Sequence, residues 1–426
     1  MSNSIGKRIK NLRMHLKLSQ HDLCNEILSR TVLSKIENDK VVPSVFQLKY
    51  IADKLNVHID YFFLEEPISH PEHITFYSDT DLCRLYKEGQ YYNIIHLHEK
   101  RLLDDSEDIN LSFYLGCSYY AADFLIEAAS NLRKYLTTYF KMDSSKKILY
   151  VENFAVALNT LCKVMLRNSN YEKAIHYLSL GKKYLEKENK TNLKIYHIIM
   201  SNLGAVYCMM NRYNKTIDVL ENYLANNKDL TFLRLLPDIH LSLNISYYNK
   251  GEYEKSITHI KNAIFLYSYC GRNYDAKHSY LNYINALRYC KKFEEAFSAL
   301  EEYKHLSSKE DSLKLNFLMQ EIILYFNTEI YEKAAQLLGS VPLLDLNSLN
   351  RNCYYFIKGH LCFLRNNFAE AFSFLEKCES YFYRNNFVYD LKQLYKDMYE
   401  ITLDELYINK INNLNTLNVK KNILID

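Results

Sequence analysis

One phrase recurs along this chain: an aromatic, any residue, Lys or Glu, then a small residue. It reads Tyr171-Glu172-Lys173-Ala174, Tyr213-Asn214-Lys215-Thr216, Tyr253-Glu254-Lys255-Ser256, Phe293-Glu294-Glu295-Ala296, Tyr331-Glu332-Lys333-Ala334 and Phe368-Ala369-Glu370-Ala371. The leading aromatics stand 37 to 42 residues apart. Self-similarity at that period demands a stack of supersecondary units, because one unit cannot bury its own apolar face. Each phrase follows a short polar break, such as Asn249-Lys250-Gly251-Glu252 or Cys290-Lys291-Lys292. Apolar residues at helical spacing lie on both sides of it. The unit is therefore a helix, a tight turn and a second helix. The aromatic fills the space at the turn, and the small residue lets the two helices approach closely. Only 9 Gly and 5 Pro in 426 residues leave too few breakers for a strand-rich fold, so the expected class is all-α.

The pattern resembles the tetratricopeptide (TPR) repeat, with a longer period that implies extra helical turns or longer connections. About eight helix pairs fit between residues 74 and 406, the two earliest matching the phrase weakly. A last helix, Tyr389 to Leu406, caps the stack, since an unstacked terminal face would expose apolar surface. Residues 407–426, rich in Asn and Lys, read as a polar tail prone to fraying. Glu65-Glu66-Pro67-Ile68-Ser69-His70-Pro71-Glu72 carries two prolines and acidic ends, which makes residues 65–73 a short stiff linker.

Charge separates the segment before that linker from the rest. Residues 1–64 hold 10 Lys+Arg against 6 Asp+Glu, a net +4, while the remainder holds 43 against 44. All net positive charge thus sits in the first domain, as expected of a part that meets nucleic acid. There, Ile5, Ile9 and Leu12 share one helical face, with basic residues on the other. Ser19 is placed to cap a second helix over Gln20 to Ile27, its hydroxyl accepting from a first-turn N–H. A third helix, Arg30 to Asn38, turns Leu33 and Ile36 inward and Arg30, Thr31, Ser34 and Lys35 outward. Pro43-Ser44 opens a fourth, carrying Leu48, Ile51, Ala52 and Leu55. Asn56-Val57 breaks it, and Ile59, Tyr61, Phe62 and Phe63 close the core.

Leu18-Ser19-Gln20, Leu23, Leu33-Ser34-Lys35-Ile36-Glu37, Pro43-Ser44, Leu48, Ile51-Ala52, Leu55-Asn56-Val57 and Phe62 resemble, in order and spacing, the phage-repressor-type (XRE) helix-turn-helix domain. That resemblance implies a third helix in the major groove, with Arg30, Thr31, Ser34 and Lys35 toward base edges. Gln20, Asn38 and Lys40 would hold the phosphate backbone. The turn Ile27-Leu28-Ser29 is one residue shorter than usual and lacks the common Gly, which leaves the register of the recognition helix open by one position.

In a stack of this kind the first helix of each pair lines the inner side. Asn202, Asn282 and Gln320 stand eleven residues before the phrase aromatics Tyr213, Phe293 and Tyr331. Asn159 stands twelve before Tyr171, across a break that reads as one residue longer. An amide offers both donor and acceptor, so a row of them can pair with the N–H and C=O of an extended peptide. Asn is abundant in this chain, and scattered Asn on helices also face solvent.

A helix-turn-helix joined to such a stack resembles the peptide-pheromone receptors of the Rap–Rgg–NprR–PlcR–PrgX class, most closely the NprR and PlcR branch, which shares the shortened turn. The resemblance implies a cytoplasmic homodimeric transcription regulator, with double-stranded DNA and a short imported signalling peptide as partners. It further implies that Asn159, Asn202, Asn282 and, by extension, Gln320 grip the peptide backbone. Two alternatives stay open: a Rap-like regulator that binds a response-regulator protein, and a phage-encoded receptor controlling lysogeny. Enzymatic function is not expected. No nucleotide-binding glycine loop occurs, His96-Leu97-His98 places two imidazoles on diverging sides of a helix, and no cofactor or metal set is legible. The ten cysteines are scattered singly and read as reduced core thiols. No run approaches the roughly 18 consecutive apolar residues of a membrane span.

Overall fold

The computed structural model describes residues 4–15, 18–24, 28–55, 62, 79–100, 109–227, 230–306, 312–415 and 424. The linker at 65–73, Ile59, Tyr61 and Phe63 lie outside the described residues. The fold is all-α, with 21 α-helices, three 3-10 turns and no strand among the described residues. Two compact units divide it, residues 1–196 and 197–426.

The first unit opens with α1 (Ile5–His15), a 3-10 turn at His21–Leu23, α2 (Arg30–Glu37) and α3 (Val45–Lys54). Ile9, Leu23, Leu28, Leu33, Ile36, Leu48, Ile51, Ala52, Leu55 and Phe62 form a separate buried cluster. Helix α2 and α3 both start where a serine accepts from a first-turn N–H: Ser29 from Val32, and Ser44 from Gln47. Gln47 returns the bond to the Ser44 N–H at 3.0 Å, a complete capping box. Gly6 has a specific reason to be glycine. A methyl group there would stand 1.9 Å from the Ile36 carbonyl oxygen, so α1 crosses the end of α2 only without a side chain. The expected second helix is, in its described part, only the 3-10 turn. Its entry is as expected, with Asp22 N–H donating to the Ser19 hydroxyl and the Asp22 carboxylate accepting from the Ser19 N–H.

The helix pairs follow. In the first unit they are α4 (Asp79–Lys87) with α5 (Tyr91–Glu99), α6 (Ile109–Ala121) with α7 (Leu125–Lys141), and α8 (Ser144–Arg167) with α9 (Tyr171–Lys187). The second unit begins within α10 (Lys194–Met209), which is followed by α11 (Tyr213–Asn226). Then come α12 (Leu236–Asn249) with α13 (Tyr253–Tyr269), α14 (Asn273–Tyr289) with α15 (Phe293–Leu306), and α16 (Lys314–Asn327) with α17 (Tyr331–Leu338). The last are α18 (Ser348–Leu364) with α19 (Phe368–Arg384), and α20 (Val388–Thr402) with α21 (Glu405–Asn415). The expected capping helix is α20. It packs against α21, which forms inside the stretch read as a fraying tail. By length and composition α8 could cross a membrane, but 61% of its apolar window is buried within the protein, as befits a core helix.

The phrase has the packing role its residue types imply. Its small residues, Ala174, Thr216, Ser256, Ala296, Ala334 and Ala371, are all fully buried. Twelve residues before Thr216 and Ala371, and before Ala128 of α7, stands a glycine whose missing side chain lets the pair close. Gly204 faces Leu220, Gly116 faces Leu132 and Gly359 faces Leu375, each leucine sixteen residues on and fully buried. Burying such a leucine contributes about 1.5–3 kcal/mol. Where α12 carries Asn244 at this place, its amide donates to the Ser256 hydroxyl at 2.7 Å and to the Ser256 carbonyl at 3.1 Å, so the buried polar group is satisfied.

The turns are one structure repeated. From α6–α7 to α18–α19 each joins two successive helices through three residues, the middle one left-handed: Asp123, Ser169, Asn211, Gly251, Lys291, Glu329 and Asn366. In the α12–α13 turn Gly251 N–H donates to Tyr248 C=O and Glu252 N–H to Tyr247 C=O. In the α14–α15 turn Lys291 and Lys292 do the same to Arg288 and Leu287. This pair of bonds closes the exposed carbonyls of the first helix and reverses the chain in a fixed geometry.

Candidate nucleic-acid interface and amide row

The N-terminal domain presents one face of α2. Arg30, Thr31 and Lys35 are exposed, Ser34 is half-buried, and Leu33, Ile36 and Glu37 lie inside. The helix ends in a two-bond cap, with Asp39 N–H donating to Ile36 C=O and Lys40 N–H to Lys35 C=O. Asp39 adopts φ 57° there, and the Ser4 hydroxyl donates to its carboxylate. Lys40 is exposed just beyond this cap.

Two residues expected at the phosphate backbone are bonded within the domain, Gln20 half-buried and Asn38 exposed. Gln20 Nε2 donates to Glu37 Oε2 at 2.7 Å, and Asn38 Nδ2 donates to the Ser34 carbonyl at 2.8 Å. The polar face assigned to α1 also needs correction, because Arg13 is 8% exposed. Its Nε donates to Glu37 Oε1 at 2.6 Å, its Nη2 to Oε2 at 2.9 Å, and its Nη1 to the Leu18 carbonyl at 2.8 Å. The Glu37 hydrogen bond raises the guanidinium pKa, and burial opposes that rise. A buried ion pair holds only when its remaining donors and acceptors are satisfied, which Leu18 and Gln20 do here. Spacing could have shown it, for Gly6, Ile9 and Arg13 fall on one helical stripe.

For the amides, counting from the residue that meets the second helix gives a common register. Asn202, Asn282 and Gln320 each stand two residues before it, in α10, α14 and α16. Two residues at about 100° each carry a side chain about 160° away from the face that packs on the second helix. All three are half-buried. Gln320 Oε1 is a buried acceptor with no hydrogen-bond donor among the described residues. Ser242 fills the same position in α12, bonded to its own helix at Asp238 C=O. Asn159 does not join this register. The α8–α9 turn has the same three residues as the others, not one more, so the matching position is Thr160, whose hydroxyl donates to Val156 C=O. Asn159 is 4% exposed in the interior of the first unit. A cleft of about 560 Å3, lined by Phe124, Ile126, Met165 and Asn168, involves none of these amides.

No cluster of His, Cys, Asp and Glu suited to a metal occurs among the described residues. All ten cysteines are free. Burial pushes the Cys117 and Cys162 thiols up to about 12, so both stay protonated.

An XRE-type helix-turn-helix domain followed by TPR-like helix pairs is the class that this arrangement defines. Residues 9–62 match the helix-turn-helix domain family. No curated protein matches the sequence. Among solved structures, the apo form of RapI is similar at 13% identity, covering 95% of this chain and 98% of that one, with a TM-score of 0.49. The C-terminal part of a TPR repeat-containing protein from Cytophaga hutchinsonii is similar at 13% identity over 65% of this chain and 99% of that one, with a TM-score of 0.46. PlcR of Bacillus thuringiensis, solved with the peptide PapR7 and DNA, is 21% identical over 72% of this chain and 94% of that one, with a TM-score of 0.27.

Proposed function

We propose that this protein is a cytoplasmic quorum-sensing transcription regulator whose DNA binding is switched by a short signalling peptide. A homodimer would place two α2 helices in successive major grooves, with Arg30, Thr31, Ser34 and Lys35 toward base edges and Lys40 against phosphate. The exposed face of α2 and the net positive charge of residues 1–64 support that part. The observation that carries the peptide reading is the shared register of Asn202, Asn282 and Gln320, on faces turned away from their second helices. A buried acceptor such as Gln320 Oε1 costs about 1–3 kcal/mol if left unmet, and a peptide N–H would meet it. Switching requires that the peptide favour one arrangement of the dimer over the other.

Two measurements test the reading. With the peptide supplied in a reporter assay, Asn202→Ala with Asn282→Ala should abolish the response while gel shifts on upstream DNA persist. An unchanged response removes the amide row from peptide binding. In the same gel shifts, Arg30→Ala should weaken binding by ~1–3 kcal/mol if Arg30 reads a guanine, and Lys35→Ala by less.

A further inference from the structure

Helix α16 carries two amides one turn apart on faces turned away from its second helix. Asn316 precedes Gln320 by four residues, and both are half-buried. The orientation of the Asn316 amide is set from α18. Asn347 caps that helix, its Oδ1 accepting from the Asn350 N–H at 2.9 Å. The Asn347 Nδ2 is thereby the limb left to face Asn316, and it donates to Asn316 Oδ1 at 3.4 Å. The buried Asn350 adds a second donor, its Nδ2 standing 2.9 Å from the same oxygen. With Oδ1 committed to two donors, the other limb of Asn316 is necessarily its N–H group. That Nδ2 has no acceptor among the described residues.

A donor of fixed orientation thus stands beside the unmet acceptor Gln320 Oε1. Four residues of helix separate the two Cα atoms by about 6 Å along the axis, so both side chains can reach neighbouring polar groups of one backbone. In α12 the corresponding place is Asp238, a carboxylate that accepts from Arg272 and Tyr267 and offers no donor. We infer that Asn316 is a further peptide-binding residue, which rests on the peptide reading of the amide row. Its Nδ2 donates to a peptide C=O close to the N–H that Gln320 accepts, and Asn347 and Asn350 are the residues that position it. Because α18 already holds the Asn316 amide, the ordering of that side chain is complete before the peptide arrives, which favours binding.

The test uses the full chain and a synthetic mixture of heptapeptides, randomised at every position and blocked at both ends. Peptides that stay with the protein through gel filtration are quantified by mass spectrometry. Asn316→Asp keeps an oxygen for Asn347 and Asn350 and removes the donor. It should lower retention at least ~10-fold, as the loss of a backbone hydrogen bond would, and leave the urea midpoint of the protein unchanged. Asn350→Ala leaves the donor in place but frees its amide to turn, and should lower retention less, by ~3-fold. Equal retention by Asn316→Asp and the unaltered chain overturns the assignment. So does a lowered urea midpoint, which would make Asn316 a structural residue. An unchanged value in Asn350→Ala overturns the positioning by α18. If Asn202→Ala with Asn282→Ala loses the peptides while Asn316→Asp keeps them, the amide row stands and Asn316 falls. A mixture from which the unaltered chain retains nothing overturns the peptide reading together with Asn316.

Discussion

The N-terminal domain and the helix pairs close their interiors by opposite routes. In residues 5–62 each fit is made once: Gly6 under the Ile36 carbonyl, and Arg13 forked onto Glu37 with Gln20 alongside. In the helix pairs one fit is made repeatedly, from a buried small residue, a leucine sixteen residues after its opposite number, and a left-handed turn residue. A single loss should therefore be severe in the first region. In the second it should be graded, since each pair depends chiefly on its neighbours.

The largest effect expected is at the buried ion pair. Glu37→Ala strands the Arg13 charge in the interior and should destabilise the domain by about 3–5 kcal/mol, enough to lose protection of residues 5–55 in hydrogen exchange. Combining Arg13→Met with Glu37→Leu should restore most of that stability. A cost below ~1 kcal/mol for Glu37→Ala would show that the fork does not hold the domain. Next in size is overpacking in a pair. At Gly204 a methyl group would stand 2.5 Å from a Leu220 side-chain carbon, so Gly204→Ala should cost about 1–3 kcal/mol in urea unfolding. At Gly251 there is open space but φ is 77°, and Gly251→Ala should cost about 1–2 kcal/mol through the backbone alone. A much larger effect at Gly251 than at Gly204 would reverse the ranking of packing over turn geometry.

Acid should also touch the helix pairs at one named place. His240 Nδ1 and His259 Nδ1 lie 2.9 Å apart, and the His259 Nε2 lies 3.1 Å from Glu221. Burial first, and then His259, push the His240 pKa down to about 4. An unfolded histidine titrates near 6.5, so the unfolded chain takes up the proton first as pH falls. This contribution to stability is whole above about pH 6.5 and is lost as pH drops toward 4, amounting to about 1–2 kcal/mol between pH 7 and 5. His240→Gln should flatten that part of the pH profile of the urea midpoint, and an unaltered slope would assign it elsewhere. The smallest effect is a gain. Lys291 has φ 57° where Asn211, Gly251 and Asn366 serve in other turns, so Lys291→Gly should add ~0.5 kcal/mol to thermal stability. No gain would mean that the added freedom of the unfolded chain cancels the relief.

The helix pairs were largely legible in the sequence because their signals repeat, and repetition separates a packing role from chance. The buried small residues and the turns fell where the phrase placed them. The N-terminal domain gave up its core leucines and its caps at Ser19 and Ser44 for the same reason that any amphipathic pattern does. Arg13 was misread because a charged side chain counts as surface until a partner is known, and Glu37 is 24 residues from it; the Gln20 bond to Glu37 was hidden for the same reason. Asn159 entered the amide row on the expectation of a break one residue longer, whereas the turn has three residues and position counted from it puts Thr160 there. The burial of Leu424 was hidden because the apolar run Ile423-Leu424-Ile425 is too short to signal an element, and its partners Asn327 and Asp390 lie 97 and 34 residues away.

The constant three-residue turn has a consequence for how such a chain can vary. Repeats here differ in length by several residues, yet the side chains at a given place keep their heading, because that place is measured backwards from the reversal and not forwards from the previous repeat. Insertions after a second helix are therefore silent for the inner positions. One residue added inside a first helix, upstream of its turn, would rotate everything before it by about 100° and swing an amide such as Asn282 out of line.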